Sequence, residues 1–94
     1  MVITVVDAEV EPERVADLLA AWDGVTGGQL PPGLQESFLM RAGDAWRITT
    51  VWGSREALEE MRRTTDTPGA LRVFRAAGAE PKITVFEVGR HFEA

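Results

Sequence analysis

One side chain type whose unperturbed pKa lies close to neutrality occurs in this sequence, as the single histidine His91, and it is the natural candidate for a general base. The competing reading is an exposed imidazole near the end of the chain, where ordering is weakest. Glu87 shares its strand phase, but four residues of strand separate the two by about 13 Å, too far for direct orientation of the ring. Three carboxylates, Asp7, Glu36 and Glu87, lie inside apolar stretches. Burial there would raise a carboxyl pKa and fit Glu36 for proton transfer, whereas a cross-strand pair with Arg41, Arg47 or Arg90 would make the role structural. Arg47 is also a candidate to hold a substrate phenolate or carboxylate. Trp22, Trp46 and Trp52 each bring a large apolar area and an indole N–H that needs a partner when buried. They suit the wall of a pocket for a planar ligand, or else core and interface packing.

Composition removes several classes of function. Cysteine is absent and histidine occurs once, so thiolate and multi-histidine metal sites within one chain are excluded, as are disulfides. Fifteen acidic residues against ten basic ones give a formal charge of -5, which offers no electrostatic footprint for a phosphate backbone. Nucleic acid is therefore not an expected partner. No apolar run approaches the ~20 residues of a membrane span, and Met1 to Asp7 lack the basic and long apolar regions of a secretory leader. A cytoplasmic protein without membrane contact is expected. The glycine-rich run 24–33 follows a helix and precedes a strand, the reverse of the order a phosphate loop needs, so it is read as a connector or a lid, and no cofactor is expected. Glu59-Glu60 and Arg62-Arg63 read as a solvated helix face.

These candidates must be held by few elements, since 94 residues fit one domain, 1–94. Residues 2–10 are rich in β-branched side chains and read as a strand. Pro12 between two glutamates suits a first helical turn, and Val15, Leu18, Leu19 and Trp22 recur with helical spacing toward a stop near Gly24. From Leu34 the chain alternates, with Leu34, Glu36, Phe38 and Met40 on one side and Gln35, Ser37, Leu39 and Arg41 on the other. Gly43-Asp44 turns it into a partner strand, Trp46 to Trp52. Ser54 caps a helix carrying Ala57, Leu58, Met61 and Thr65 inward. A shorter helix after Pro68 presents Leu71 and Phe74 and stops at Gly78, and a last strand runs through Ile83 to Val88.

The order β-α-β-β-α-(α)-β predicts an α+β, ferredoxin-like fold, a four-stranded antiparallel sheet with helices on one face. Both phases of every strand carry apolar bulk, among them Val2 and Ile3, Phe38 and Leu39, Ile48 and Val51, Val85 and Phe86. The helices can cover only one face, so a second copy is the expected cover of the other. At this chain length only about 60–65% of the unfolded surface is buried on folding, and a lone copy would be marginally stable.

The run Val51-Trp52-Gly53-Ser54-Arg55-Glu56-Ala57-Leu58 resembles the V-W-x-S-x-E-A-L junction common in the antibiotic biosynthesis monooxygenase-like family of dimeric α/β-barrel proteins. In element order the similarity covers nearly the whole chain, including the Pro81-x-Ile83 entry into the last strand. The resemblance implies a homodimer joined through the open sheet face, with a cavity between sheet and helices in each subunit. It also implies oxygenation of an aromatic or polyphenolic small molecule without metal or flavin. Trp52 becomes a cavity wall with Trp22, while Thr50 stands where relatives often carry an acidic residue and Met61 where many carry a histidine. The missing helix histidine speaks against a haem-degrading relative. The expected function is thus a cofactor-independent monooxygenase with His91 or a buried carboxylate such as Glu36 as base and Arg47 as anion stabiliser. An isomerase or cyclase of the same fold, and a non-catalytic small-molecule-binding homodimer, are the alternatives.

Overall fold

The computed structural model describes all residues from Met1 to Ala94. Its elements are β1 (Val2–Glu9), a 3-10 turn (Pro12–Arg14), α1 (Val15–Thr26), β2 (Leu34–Ala42), β3 (Ala45–Trp52), α2 (Arg55–Thr64), α3 (Gly69–Ala76) and β4 (Lys82–Glu87). The strands form one antiparallel sheet in the order β2-β3-β1-β4, which is the expected ferredoxin-like topology. No helix is long and apolar enough to cross a membrane.

Register settles which strand phase meets the helices. Val2, Thr4 and Val6 of β1 pair with Trp52, Thr50 and Ile48 of β3, and all six are buried. This phase continues into β4 through Val85 and Ile83 and into β2 through Ser37 and Leu39. The opposite phase, with Ile3, Val5, Val51, Phe38 and Phe86, forms the open face. There Phe38, Met40 and Phe86 are 47%, 42% and 53% exposed, a large apolar surface for a chain this small.

Two local expectations need correction. Strand β2 carries a bulge between Leu34 and Glu36, so Leu34 joins Ser37 and Leu39 on the helix side instead of following Glu36 and Phe38. An extra residue in one strand reverses the alternation on one side of it. Helix α1 runs through Gly24 to Thr26, because one glycine costs a helix only about 1 kcal/mol and Val25 packs against the core. The Thr26 hydroxyl also donates to the Trp22 carbonyl at 2.8 Å. Leu19, expected inward, is exposed, and Leu18 alone in α1 is fully buried.

The turns follow their residue chemistry. Ser54 caps α2, its Oγ accepting from the Ala57 N–H at 3.1 Å, a cap of about 1 kcal/mol. Gly33 and Gly78 hold positive φ, +86° and +73°, which side chains with a Cβ resist. At Gly69 an added Cβ would lie 2.8 Å from Val25 Cγ1, so the missing side chain is what lets α3 approach the end of α1.

The interior is not continuous. One cluster gathers Val6, Val10, Leu18, Trp46, Ile48, Val73, Phe74 and Ala77 under α1 and α3. A second holds Val2, Trp52, Leu58 and Met61 under α2. Each fully buried aliphatic here contributes about 1.5–3 kcal/mol. Between the two clusters the sheet is left partly uncovered, and the cavity opens there.

Candidate active site

The cavity has a volume of about 440 Å³, within the range of about 300–1,000 Å³ usual for small-molecule sites. Its floor is the middle of the sheet. In adjacent strands Thr4 pairs with Thr50 and Thr50 with Ser37, so three hydroxyl side chains lie in one row across β1, β3 and β2, and all three line the cavity. Trp52 Nε1–H donates to Thr4 Oγ1 at 3.1 Å. Ser37 Oγ and Thr50 Oγ1 are 2.9 Å apart and share one hydrogen bond. The Thr4 hydroxyl therefore accepts from Trp52 and keeps its own proton free. The Ser37–Thr50 pair uses one of its two protons and keeps the other.

The walls are apolar. Val6, Ile48 and Trp52 rise from the sheet, Leu58 and Met61 come from α2, Trp22 and Val25 from the end of α1, and Leu71 and Val73 from α3. Leu30 and Pro31, in the loop after α1, close one side. Three ionisable residues belong to the lining, Arg62, Arg72 and Glu36, all three exposed, and of these the two arginines present their side chains at the mouth. Glu36 pairs in register with Val51, so its side chain follows the open face and only its strand reaches the rim. The interior thus holds hydroxyl and indole groups and no acid or base.

The structure gathers some of the sequence candidates and separates others. Trp52, Thr50, Trp22 and Met61 all line the cavity. His91 lies exposed beyond β4 and does not line it. Arg47 sits on the open face, opposite Asp7 in register, and its Nε donates to Asp7 Oδ1 at 2.6 Å. That hydrogen bond, reinforced by the charge of Asp7, holds the guanidinium above its ordinary pKa. Within one subunit the sheet separates Arg47 from the cavity, because odd and even residues of β3 face opposite sides. Glu87 receives Arg55 at 2.8 Å on the surface. No group of three or more His, Cys, Asp or Glu side chains comes together as a metal site would require.

Thr4, Ser37 and Arg72 escaped sequence reasoning, and Arg62 was read only as part of a solvated face. A signal for the floor does exist: Val2-x-Thr4-x-Val6 and Ile48-x-Thr50-x-Trp52 each place a hydroxyl in the middle of an apolar phase. Threonine is also an ordinary strand former, so the pattern becomes legible only once the register sets the two side by side.

No family model matches the chain, and no curated protein matches it in sequence. Solved structures do match. A candidate antibiotic biosynthesis monooxygenase from Deinococcus radiodurans superposes with a TM-score of 0.73 at 19% identity, over 100% of this chain and 98% of that one. A variant of SnoaB, a cofactor-independent oxygenase from Streptomyces nogalater, gives 0.73 at 18% identity over 99% and 97%. A variant of MhuD carrying two manganese protoporphyrin IX molecules per active site gives 0.68 at 16% identity, over the whole of both chains. At these identities the likeness establishes the fold, and this chain has the ferredoxin-like fold shared by antibiotic biosynthesis monooxygenase-like proteins.

Proposed function

We propose that this chain is a cofactor-independent monooxygenase that takes a planar aromatic compound bearing a phenol or ketone oxygen into the cavity. The observation that carries the reading is the row Thr4–Thr50–Ser37, two free hydroxyl protons set in the floor of an otherwise apolar chamber. Such donors stabilise the oxyanion of an enolate or phenolate far better in a dry site than in water. With an anthrone-type substrate, loss of a proton gives an anion that passes one electron to dioxygen. The two radicals then join in a C–O bond, the peroxide anion takes up a proton from water in place of the one lost, and the resulting hydroperoxide loses water by breaking its O–O bond and a C–H bond. The sum, R₂CH₂ + O₂ → R₂C=O + H₂O, needs no further oxidant or reductant. Trp52 and Trp22 flank the ring, Met61 shapes the chamber, and the substrate proton leaves through the mouth. The likeness to a cofactor-independent oxygenase supports this reading.

The partner proposed for the open face is a second copy, which would cover Phe38, Met40 and Phe86 together. Dioxygen uptake with a panel of anthrones, naphthols and hydroquinones tests the reaction. Turnover by the parent protein and a loss on the order of 10² in kcat for Thr4→Val are expected, as for removal of one oxyanion donor. No uptake with any of these substrates by well-folded protein would refute the oxygenase reading.

A second reading, binding without turnover, has a specific observation in its favour: no titratable side chain is buried in the cavity. Saturable quenching of tryptophan fluorescence without oxygen uptake would select it. Turnover maintained under argon would select an isomerase or cyclase instead.

A further inference from the structure

Charge at the cavity mouth is distributed in a way that the hydroxyl floor does not explain. The chain carries five more acidic than basic residues, 15 against 10, yet the ionisable side chains presented at this opening are the arginines Arg62 and Arg72. Arg62 is partly neutralised by Glu59, 3.7 Å away. Arg72 has no such partner: it makes no ion pair, no side-chain hydrogen bond and no stacking contact. Most of the other arginines are engaged, Arg14, Arg47, Arg55, Arg63 and Arg75 with carboxylates and Arg41 over the Trp46 ring.

The sequence of α3 leaves Arg72 unpaired by construction. Gly-Ala-Leu-Arg-Val-Phe-Arg-Ala contains no carboxylate, and the positions one helical turn away from Arg72 are Pro68, Gly69, Arg75 and Ala76. An arginine offers a planar fork of five N–H donors that matches a carboxylate, and this one stands over an apolar chamber in an acidic protein.

Resting on the reading of the cavity as an aromatic-substrate site, we infer that the substrate is an aromatic acid, bound with its ring oxygen on the hydroxyl floor and a carboxylate at the mouth on Arg72, with Arg62 in support. The chamber supplies donors at both ends and apolar surface between them. A neutral hydrocarbon would leave both polar ends unmatched, and an organic cation would meet two arginines. The protein's net charge opposes approach of an anion from a distance, so the arginines act at contact and not by long-range steering.

Fluorescence quenching of Trp22 and Trp52 by 6-hydroxy-2-naphthoic acid, whose hydroxyl and carboxylate lie at opposite ends of the ring system, and by its methyl ester tests this at low ionic strength. Acid binding about five- to tenfold tighter than ester binding is expected from one partly exposed charge-assisted pair. Arg72→Gln should remove most of that preference while leaving the ester unchanged, Arg72→Lys should restore part of it, and Arg62→Gln should have the smaller effect. Because Arg72 is exposed and unpaired, its two variants are expected to keep the parent's unfolding midpoint. Equal affinity for acid and ester, or equal weakening of both by Arg72→Gln, overturns the carboxylate assignment and leaves the cavity reading standing. Failure of both probes to bind overturns both.

Discussion

Replacing Thr4 by valine keeps the shape of the side chain and removes one oxygen from the interior. Trp52 is 3% exposed and Thr4 6%, so the indole N–H that now donates to Thr4 Oγ1 at 3.1 Å would face a methyl group with little access to water. The lost bond is worth about 0.5–1.5 kcal/mol, and stranding a buried donor costs about 1–3 kcal/mol. The added methyl returns part of this, about 0.8 kcal/mol if fully buried. A net loss of about 1–2 kcal/mol follows, a fall of several degrees in Tm at about 4–8 °C per kcal/mol for a domain of this size. Thr4→Ser keeps the acceptor and should lose only the methyl. Trp52→Phe removes the donor, so the double variant Thr4→Val with Trp52→Phe should be more stable than the sum of the singles by about 1 kcal/mol. Urea unfolding of the four proteins at one protein concentration measures this, the common concentration being needed if folding and association are linked. Coupling within about 0.3 kcal/mol of zero would mean that the bond does not hold Trp52, and the account of the cavity floor would fall with it.

Thr50→Val should cost less, about 0.5–1.5 kcal/mol, because its partner Ser37 is half-buried and water can take over the bond. Gly33→Ala combines positive φ with a Cβ that would clash with the Ala57 Cβ, and a loss of about 2 kcal/mol or more is expected from thermal unfolding. Trp46→Phe removes the one buried side-chain polar atom that lacks a partner, so it should cost clearly less than Trp52→Phe in the same assay. Phe86→Glu, on the open face, should leave an isolated subunit folded but shift sedimentation from dimer to monomer; an unchanged monomer in both parent and variant would refute the second-copy cover. Arg47 has its pKa raised by Asp7, so the charged form that supports the pair is complete below the unfolded arginine value and is lost only as pH rises through the still higher folded one. Arg47→Met should therefore lower the midpoint equally at mildly acidic and mildly alkaline pH.

The elements were legible because their signals are local. Pro12, Ser54 and Pro68 mark helix starts, Gly43-Asp44 a hairpin, and the β-branched runs strands. The strand phase was not legible, because both phases are apolar and periodicity then carries no sign. The bulge at Leu34 to Glu36 was hidden because Gln35-Glu36-Ser37 is polar in both phases, so one added residue there breaks no visible pattern. Trp52 was reached by resemblance, while Thr4 and Ser37 lie 46 and 13 residues from Thr50 and meet it only through strand pairing. His91 and Arg47 illustrate the opposite failure: their chemistry was readable from residue type alone, but type gives no position, and the fold puts one beyond β4 and the other behind the sheet.

That separation narrows the chemistry open to this cavity. An enzyme that abstracts a proton from a weak carbon acid needs a base within about 3 Å of it, and no carboxylate or imidazole of this subunit enters the chamber. In the proposed reaction, hydroxyl donors and arginines do the complementary half of the task, lowering the cost of negative charge on the substrate. The proposal therefore calls for substrates that are acidic themselves, such as anthrones, and not for simple ketones. Across a graded series of substituted anthrones, turnover should fall steeply as substrate pKa rises and should show no inflection attributable to an enzyme base near neutrality. A bell-shaped profile insensitive to substrate pKa would instead require a protein base inside the cavity, one that only a second subunit could bring.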